Sequence, residues 1–377
     1  MPPRYTIVAF SHLRWNFVYQ RPQHLLSRLA AGHPVFFIEE PELDLDGEIR
    51  FERSSPQPNI TVLRPRTPIR APGFNAGQIA ALRPLIAELA TELGESSVLA
   101  WLYTPLALPL AEELEPNAMV YDCMDELSLF KGAPPELLSQ ESRLLELADV
   151  MFTGGPSLYR AKQARHHNVY CFPSSVDAAH FREGRSGPSA ASEAEDQAGI
   201  AHPRLGFYGV IDERLDLPLI AGLARSRPDW HIILVGPVIK VDPSVLPQAA
   251  NICYLGPKRY EELPTYVAGW DVAVMPFARN EATLFISPTK TPEYLAAGKP
   301  VVSTSIRDVV RAYGESGMVR IADTVDAFVS AVEQSMRDDA AARIMRIDEH
   351  LKDQSWDHTW SRIEALMAES TARAALR

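Results

Sequence analysis

The amino-acid sequence predicts an α/β protein made of two doubly wound, Rossmann-like domains that face a central cleft. Short runs of β-branched and aromatic residues alternate with helical patterns in the first half of the chain, and this alternation restarts after a polar interruption. The chain has 377 residues. A single hydrophobic core stops growing at roughly 250 to 300 residues, so this length favours two domains.

The first half contains six candidate strands and two clear helices. One helix places Leu25, Leu26 and Leu29 on a single face and meets Gly32 as its stop. The predicted strands are residues 5–10, 34–39, 98–103, 118–122, 150–153 and 169–172, and the predicted helices are residues 22–31 and 135–148.

Residues 178–202 are small and polar without an apolar period, which predicts a linker or flexible insertion. The alternation resumes beyond it. We therefore expect domains at 1–177 and 203–353, followed by a terminal helix in 354–377 that packs at the domain junction. The predicted strands here are 204–210, 231–235, 251–255, 271–276 and 300–304, and the predicted helices are 216–226, 260–268, 325–337 and 341–352.

The amino-acid composition of the chain limits the kinds of molecule that it is expected to bind. A net charge of -11 argues against nucleic acid, because phosphate binding needs a basic face. Three dispersed cysteines suit neither a disulfide framework nor a zinc site. No signal peptide or membrane span is predicted, so we expect a cytoplasmic protein that meets a membrane only from its inner face. Arg64, Arg66 and Arg70 lie in a segment that is either a solvated loop or a contact with anionic lipid.

The stretch SPTKTPEYLAAGKPVVST, residues 287–304, is the most informative part of the chain. Pro292 suits a first helical turn, and Gly298 suits the end of a short helix. The hydroxyls of Ser287 and Thr289, the charge of Lys290 and the free N–H groups of the helix start could bind phosphate. Glu293 could accept hydrogen bonds from a ribose diol. The alternative is a short capped helix with a surface lysine.

Other strand ends of the second half carry further candidates, because ligands bind beyond the carboxyl ends of parallel strands. Gly209 permits close backbone approach, and Arg214 could fork onto phosphate oxygens. Lys258 lies in a turn that could read a base edge. Each position could also be an ordinary turn. The long loop that leads into the 287–304 stretch favours a binding function.

Several blocks of the chain, in order, resemble the GT-B nucleotide-sugar glycosyltransferases of the glycosyltransferase 4/family 1-like group. That group includes bacterial teichuronic-acid-type enzymes and others encoded near UDP-galactopyranose mutase. The blocks are RPQHLLSRLA, VYDCMDELSLF, ADVMFTGGPSL, PSSVDAAHF, GFYGVIDERLDLPLI, LVGPV, YLGPKRYEELPTYVAGWDVAVMPF, SPTKTPEYLAAGKPVVST and SWDHTW.

The resemblance implies a hexosyltransferase that binds a nucleotide-diphosphate sugar, with a UDP-sugar favoured, mainly through its second domain. The first domain would bind a saccharide or lipid-linked acceptor of cell-surface polysaccharide synthesis. Related retaining enzymes carry two glutamates, of which Glu293 matches the second and Phe285 replaces the first. Glu281 is the nearest upstream acid. We expect retention of anomeric configuration, with neither a metal nor a resident cofactor.

Acceptor-side candidates follow strands of the first half. His12 and Asp125 are the candidate catalytic bases, with Asp122 beside the latter, although loop hydrogen bonding or capping would also explain them. Arg14, Trp15 and Arg21 could hold an acceptor by charge and stacking, or Trp15 could pack against the first helix.

Two alternatives to a transferase remain open at the level of sequence. A GT-B-fold epimerase would act on the nucleotide sugar itself and would need acid and base groups beside the sugar. A catalytically degenerate subunit would bind a nucleotide sugar or a partner without turnover, and Phe285 is compatible with it.

Overall fold

The computed structural model describes residues 5–186 and 193–374. The chain divides into two compact units. The N-terminal unit runs up to Pro173 and also takes the residues from Asp357 onward, whereas the C-terminal unit is Ser174–Trp356. The segment predicted to pack at the domain junction thus belongs mainly to the N-terminal unit, where Arg28 pairs with Asp357 at 2.6 Å.

The N-terminal unit is built on one sheet whose described strands run in the order β3-β5-β2-β1-β6-β7-β8-β9. All neighbours on this path are parallel, and β4 adds to β5 in antiparallel fashion. The strands are β1 (Thr6–Ser11), β2 (Val35–Glu39), β3 (Glu42–Leu43), β4 (Arg50–Gln57), β5 (Ile60–Thr67), β6 (Val98–Leu102), β7 (Ala118–Cys123), β8 (Val150–Thr153) and β9 (Val169–Cys171). The central strand β1 is buried along its whole length, as its apolar sequence predicts.

Helices cover this sheet, and their ends follow local chemistry. Asn75 caps one helix by accepting the backbone N–H of Gly77 at 2.9 Å, and Gly94 ends it at a positive φ of 58°. The helices are α1 (Arg21–Leu29), α2 (Ala76–Leu93), α3 (Leu108–Glu112), α4 (Glu136–Leu147), α5 (Pro156–Lys162) and, at the C-terminus, α14 (Trp356–Ala374).

The region between β2 and β6 differs from the sequence-based expectation. The hairpin β4–β5 and the helix α2 were not predicted. Arg70 lies beyond β5 and is exposed, whereas Arg64 and Arg66 lie in β5 rather than in a solvated loop. Arg64 Nε lies 2.8 Å from the buried Glu39 Oε2, and Arg66 Nη1 lies 3.0 Å from Glu42 Oε2. These arginines are paired within the unit, which leaves less of their charge for a lipid surface.

The C-terminal unit has a six-stranded sheet in the order β12-β11-β10-β13-β14-β15. Every pair of neighbours is parallel. The chain moves from β10 to one side of the sheet and later resumes on the other side with β13, so the order reverses beside β10. The strands are β10 (Arg204–Tyr208), β11 (His231–Val235), β12 (Ile252–Gly256), β13 (Val272–Met275), β14 (Val301–Ser303) and β15 (Val319–Ile321).

The expected linker is largely packed onto the C-terminal unit. Phe181 is fully buried in the core of that unit, and Gln197 is buried with its amide donating to the Tyr266 carbonyl at 3.0 Å. Residues 187–192 of the expected linker lie outside the described residues. The helices are α6 (Ala178–Arg182), α7 (Glu195–Ala198), α8 (Leu217–Ser226), α9 (Leu263–Ala268), α10 (Lys290–Ala296), α11 (Arg307–Val309), α12 (Val325–Met336) and α13 (Ala340–Leu351).

Within residues 5–186 and 193–374, no helix is both long and apolar enough to cross a membrane.

Candidate functional site

The candidate site lies at the carboxyl edge of the C-terminal sheet, where the strand order reverses between β10 and β13. The loops that follow these two strands are tied together. Leu215 and Phe277 form an antiparallel bridge, the Ala278 N–H donates to the Arg214 carbonyl at 2.8 Å, and Asn280 Nδ2 donates to the Glu213 carbonyl at 3.0 Å. The loop after β13 leads directly into α10, so the backbone around the predicted site is well fixed.

Two glycines shape the backbone beside Lys290: Gly209 lies against its side chain, and Gly236 lies against Gly209. Gly209 has a φ of +136° and Gly236 a φ of +143°, a conformation that glycine adopts far more readily than other residues. A methyl group at Gly209 would collide with Lys290 Cε, and one at Gly236 would collide with the Gly209 carbonyl oxygen. The half-buried Lys290 extends over this glycine surface, with its Nζ 5.7 Å from the centre of the Phe207 ring.

Glu293 lies one helical turn beyond Lys290 and is only 4% exposed. Its Oε2 accepts a hydrogen bond from the Tyr208 hydroxyl. Burial raises the pKa of Glu293 to about 7, against the opposing effects of the Tyr208 hydrogen bond and the positive charge of Lys290. The two predicted site residues Lys290 and Glu293 therefore lie on the same short helix, and the charge of Lys290 acts on the Glu293 carboxyl.

Arg214 is oriented by a carboxylate from its own loop. Its Nε lies 3.0 Å from Asp212 Oδ1, and its Nη2 lies 2.7 Å from Asp212 Oδ2. Asp212 also accepts the Arg214 backbone N–H at 2.9 Å. This forked pairing compensates part of the guanidinium charge, so Lys290 is the stronger candidate for offsetting the charge of a bound anion.

The other residues predicted to bind the donor, Ser287, Thr289 and Lys258, lie in different local environments. The carbonyl of Ser287 accepts a hydrogen bond from Ser174 Oγ at 3.1 Å, and Thr289 precedes α10 without capping it through its side chain. Lys258 has other partners, because its Nζ pairs with Asp196 Oδ2 at 2.6 Å and lies 5.2 Å from the centre of the Tyr266 ring. Its assignment to base recognition stays a prediction.

The position of the first expected glutamate is Phe285, in the loop between a 3-10 turn (Glu281–Thr283) and α10. Glu281 begins that turn and is exposed. The loop therefore presents an aromatic ring at the position where a carboxylate was expected.

In the N-terminal unit, the structure gives Arg14 and Trp15 internal contacts. The Trp15 ring is 8% exposed and meets Phe37 edge to face at 5.1 Å. Arg14 Nη1 contacts Glu39 Oε2 at 3.2 Å and the Glu40 carbonyl at 2.6 Å. The Trp15 ring is packed in the core and Arg14 is engaged by Glu39, so this geometry favours the packing role for Trp15, and the acceptor roles of both residues stay predictions.

Arg21 is also a structural residue rather than an exposed acceptor contact. It is 3% exposed, its Nη2 lies 2.9 Å from Asp122 Oδ1, and its Nη1 donates to the Phe172 carbonyl at 2.7 Å. Burial raises the pKa of Asp122, while the Arg21 charge acts in the opposite direction. The pair joins α1 to β7, and this burial favours a structural role for Arg21, whose acceptor role stays a prediction.

His12 and Asp125 keep positions that suit a ligand-binding loop. Both side chains are half-buried. His12 follows β1, and Asp125 follows β7, two strands further along the sheet order. The Asp125 carbonyl accepts from Cys123 Sγ at 3.5 Å. Their catalytic roles stay predictions.

Three site residues were not predicted from the sequence: Tyr208, Asp212 and Gly236. Gly236 lies in the block LVGPV, where a glycine directly after a strand was a usable signal. Asp212, two residues before Arg214, offered a weaker one. Nothing local to Tyr208 indicates its partner Glu293, because the two are 85 positions apart.

Comparison with known proteins finds a family that matches most of this unit. Residues 203–338, which include the whole six-stranded sheet, match the family described as glycosyl transferases group 1. This part of the chain, called the group 1 domain below, is similar to the group 1 glycosyltransferases. The predicted resemblance to the GT-B glycosyltransferases is thereby confirmed, and Gly209, Lys290 and Glu293 all lie inside the group 1 domain.

A relative and several solved structures extend the match. The chain is 30% identical over 244 residues to TuaH of Bacillus subtilis (strain 168), a protein named as a teichuronic acid biosynthesis glycosyltransferase. The alignment covers 60% of this chain and 60% of TuaH.

Two solved structures match almost the whole chain. Sucrose-phosphate synthase from Thermosynechococcus elongatus has a TM-score of 0.75 at 15% identity, covering 98% of this chain and 100% of that one. HepE of Anabaena, in complex with UDP and glucose, has a TM-score of 0.67 at 13% identity, covering 97% and 100%. These structures establish the GT-B fold outside the group 1 domain as well.

Replacing Gly209 with alanine is expected to abolish the close approach of Lys290. The new methyl group would meet Lys290 Cε, and the positive φ adds backbone strain of roughly 1 to 3 kcal/mol. We expect a lower thermal midpoint and a displaced lysine, measured by calorimetry and by loss of nucleotide binding. Gly199→Ala is the matched control, because a methyl group there meets nothing within 4 Å. Equal behaviour of the two variants would contradict the prediction.

Proposed function

We propose that this protein is a glycosyltransferase that takes a sugar from a nucleotide-diphosphate sugar bound by the group 1 domain. The observation that carries the proposal is the pairing of Lys290 with Glu293 on one short helix beside Gly209, at the point where the strand order reverses. Lys290 would bind the diphosphate, and Glu293 would accept hydrogen bonds from the ribose. UDP is the favoured nucleotide, supported by the UDP in the HepE complex.

The reaction breaks the bond between the sugar C1 and the donor phosphate oxygen and forms a bond from C1 to an acceptor hydroxyl oxygen. The bonding electrons leave with the diphosphate, so negative charge grows there. Lys290, already placed, would stabilise this charge without reorganisation. We propose a retaining reaction in which a donor phosphate oxygen receives the acceptor proton, and no metal or resident cofactor takes part.

The proposed acceptor is a saccharide or lipid-linked saccharide of cell-surface polysaccharide synthesis. The name of the TuaH relative supports this class. His12 and Asp125 are the proposed catalytic residues beside the acceptor. Among the predicted acceptor contacts, Arg14 is half-buried, whereas Trp15 and Arg21 are internal. We propose that the reaction takes place in the cytoplasm, with peripheral contact at the inner face of the membrane when the acceptor is lipid-linked.

The aromatic Phe285 favours one alternative, a subunit that binds a nucleotide sugar but does not transfer it. A GT-B-fold epimerase is the other alternative, and it would convert the donor in the absence of any acceptor. Both share the donor site with the transferase, so binding alone does not separate them from it.

The test is a panel of UDP-, GDP-, ADP- and TDP-sugars, assayed by calorimetry for binding and by mass spectrometry for products. We expect binding of one nucleotide class, unchanged by EDTA, with slow hydrolysis that acceptor saccharides accelerate. Loss of binding in EDTA would contradict metal independence. Epimerised donor would support the epimerase, and binding without any turnover would support the degenerate subunit. If no nucleotide sugar binds, the proposed function is wrong.

A further inference from the structure

A buried tyrosine holds the carboxylate of Glu293. Tyr208 is the last residue of β10, is 6% exposed, and donates its hydroxyl to Glu293 Oε2. The sequence gives no indication of this contact, which joins the centre of the sheet to the short helix α10.

The Tyr208 ring has little freedom to move. Tyr294, the neighbour of Glu293, packs against it edge to face at 4.9 Å, and its hydroxyl accepts the Tyr208 backbone N–H at 2.9 Å. Phe181 stacks on the Tyr208 ring at 6.3 Å, and Trp270 lies at 6.1 Å. Because these neighbours fix the ring, they also fix the point at which its hydroxyl meets the carboxylate.

The protonation states suit this contact. Burial, followed by the charge of Glu293, raises the pKa of Tyr208 well above its usual range, so the phenol keeps its proton and donates. Lys290, one turn away on the same helix, favours the ionised form of Glu293.

The charged side chains of the helices packed on α10 contact groups other than the Glu293 carboxylate. In α6, His180 Nε2 meets the Tyr260 carbonyl at 3.0 Å, and Arg182 pairs with Asp348 of α13 at 3.2 Å. Also in α13, Arg343 Nε donates to the Gly298 carbonyl at 3.3 Å. Among the described residues, the hydrogen bond from Tyr208 and the charge of Lys290 are the side-chain effects that act on the pKa of Glu293.

We propose that Tyr208 is a positioning residue, whose hydrogen bond to Oε2 holds Glu293 in the orientation that presents Oε1 to the ribose diol of the nucleotide. The inference rests on the proposed function, because it assigns the diol to Glu293. A carboxylate fixed before binding loses less rotational freedom when the ligand arrives, so the contact with the diol gains strength. Without Tyr208, the same carboxylate would have to be ordered by the ligand itself.

The test compares the wild type with Tyr208→Phe for binding of UDP and of 2′,3′-dideoxy-UDP, which lacks the diol. We expect the wild type to prefer UDP by about 10-fold or more, as a hydrogen bond to a charged group implies. In Tyr208→Phe we expect this preference to fall to about 2-fold, while affinity for the dideoxy compound stays nearly unchanged. If Tyr208 only maintained the fold, Tyr208→Phe would lower the affinity for both ligands by the same factor.

A pH series provides a second readout. UDP affinity of the wild type should fall as the pH drops below about 7, because the protonated carboxyl is a weaker acceptor. The Tyr208 hydrogen bond lowers the pKa of Glu293, so its removal should move this loss of affinity to higher pH. Tyr313→Phe is the control, since Tyr313 is also a buried tyrosine of this unit, with its hydroxyl 3.3 Å from Gln354 Oε1. It should keep the wild-type preference and profile.

The outcomes separate the inference from the function on which it rests. A wild type that binds UDP with the expected preference, together with a Tyr208→Phe variant of equal preference and profile, would overturn only the inference. A wild type that binds none of the nucleotides would overturn the proposed function and the inference with it.

Discussion

Replacing Lys290 with alanine is expected to lower the rate of sugar transfer by about 100- to 1,000-fold, the usual effect of removing a preorganised group that stabilises transition-state charge. Two features of the site make Lys290 hard to replace. It extends over Gly209, where a side chain would obstruct it. Arg214, another predicted cation of the donor site, is already forked onto Asp212. We therefore expect Arg214 to compensate only partly for the loss of the Lys290 charge in the proposed reaction.

The measurement is the transfer rate at saturating donor, together with the dissociation constant of UDP. Lys352→Ala is the matched control, because Lys352 is an exposed lysine of the same unit whose partner Glu349 lies on the same helical surface at 2.5 Å. We expect the control to transfer at the wild-type rate. If the Lys290→Ala variant folds normally and keeps the wild-type rate, the assignment of Lys290 to the donor site is wrong.

Loss of the Lys290 charge should also act on Glu293. The positive charge of Lys290 lowers the pKa of that buried carboxyl, so its removal should raise the pKa further above about 7. At neutral pH a larger share of Glu293 would then be protonated. We therefore expect UDP binding by Lys290→Ala to recover partly as the pH rises.

The C-terminal unit was largely predictable because its signals are local. The strand at His231–Val235 is an apolar run that the structure reproduces at the predicted bounds, and the short helix with Lys290 and Glu293 lies where Pro292 and Gly298 indicated. By contrast, β4 reads RFERSSPQ and is mostly exposed, so it has neither an apolar run nor a clean alternation. This segment forms a strand because it pairs with β5, and its own sequence pattern does not indicate that pairing.

The acceptor-side assignments depended on burial that the sequence does not carry. Trp15 and Arg21 follow a strand end, where ligands often bind, but each found an internal partner from a distant part of the chain. Asp122 is 101 positions from Arg21, and Phe37 belongs to the next strand of the sheet. A charged or aromatic residue near a strand end therefore predicts a ligand-binding site only when its side chain does not pack against, or pair with, another buried residue.

The ion pair of Arg21 and Asp122 predicts a large loss of stability when it is broken. Arg21→Ala should lower the free energy of unfolding of the N-terminal unit by about 3 to 5 kcal/mol, because it leaves a buried carboxylate without its counter-charge. Both partners are almost fully buried, and Arg21 also satisfies the Phe172 carbonyl. Urea unfolding monitored by tryptophan fluorescence would measure the loss, with Trp101 buried in the same unit as a reporter.

The pH dependence of this loss has a definite sign. Burial already raises the pKa of Asp122, and removal of the Arg21 charge should raise it further. The unfolded state then releases the Asp122 proton at lower pH than the folded state, so the stability of the variant should fall as the pH rises above the unfolded value. The difference from the wild type should be smaller at acid pH than at neutral pH.

Arg143→Ala provides the comparison, because Arg143 pairs with Glu112 at 2.7 Å with both side chains exposed. That pair should contribute no more than about 1 kcal/mol. If Arg21 instead served an acceptor, its replacement would weaken acceptor binding while leaving the unfolding curve close to that of Arg143→Ala. The two roles thus give opposite results, and the burial of Arg21 and Asp122 favours the structural one.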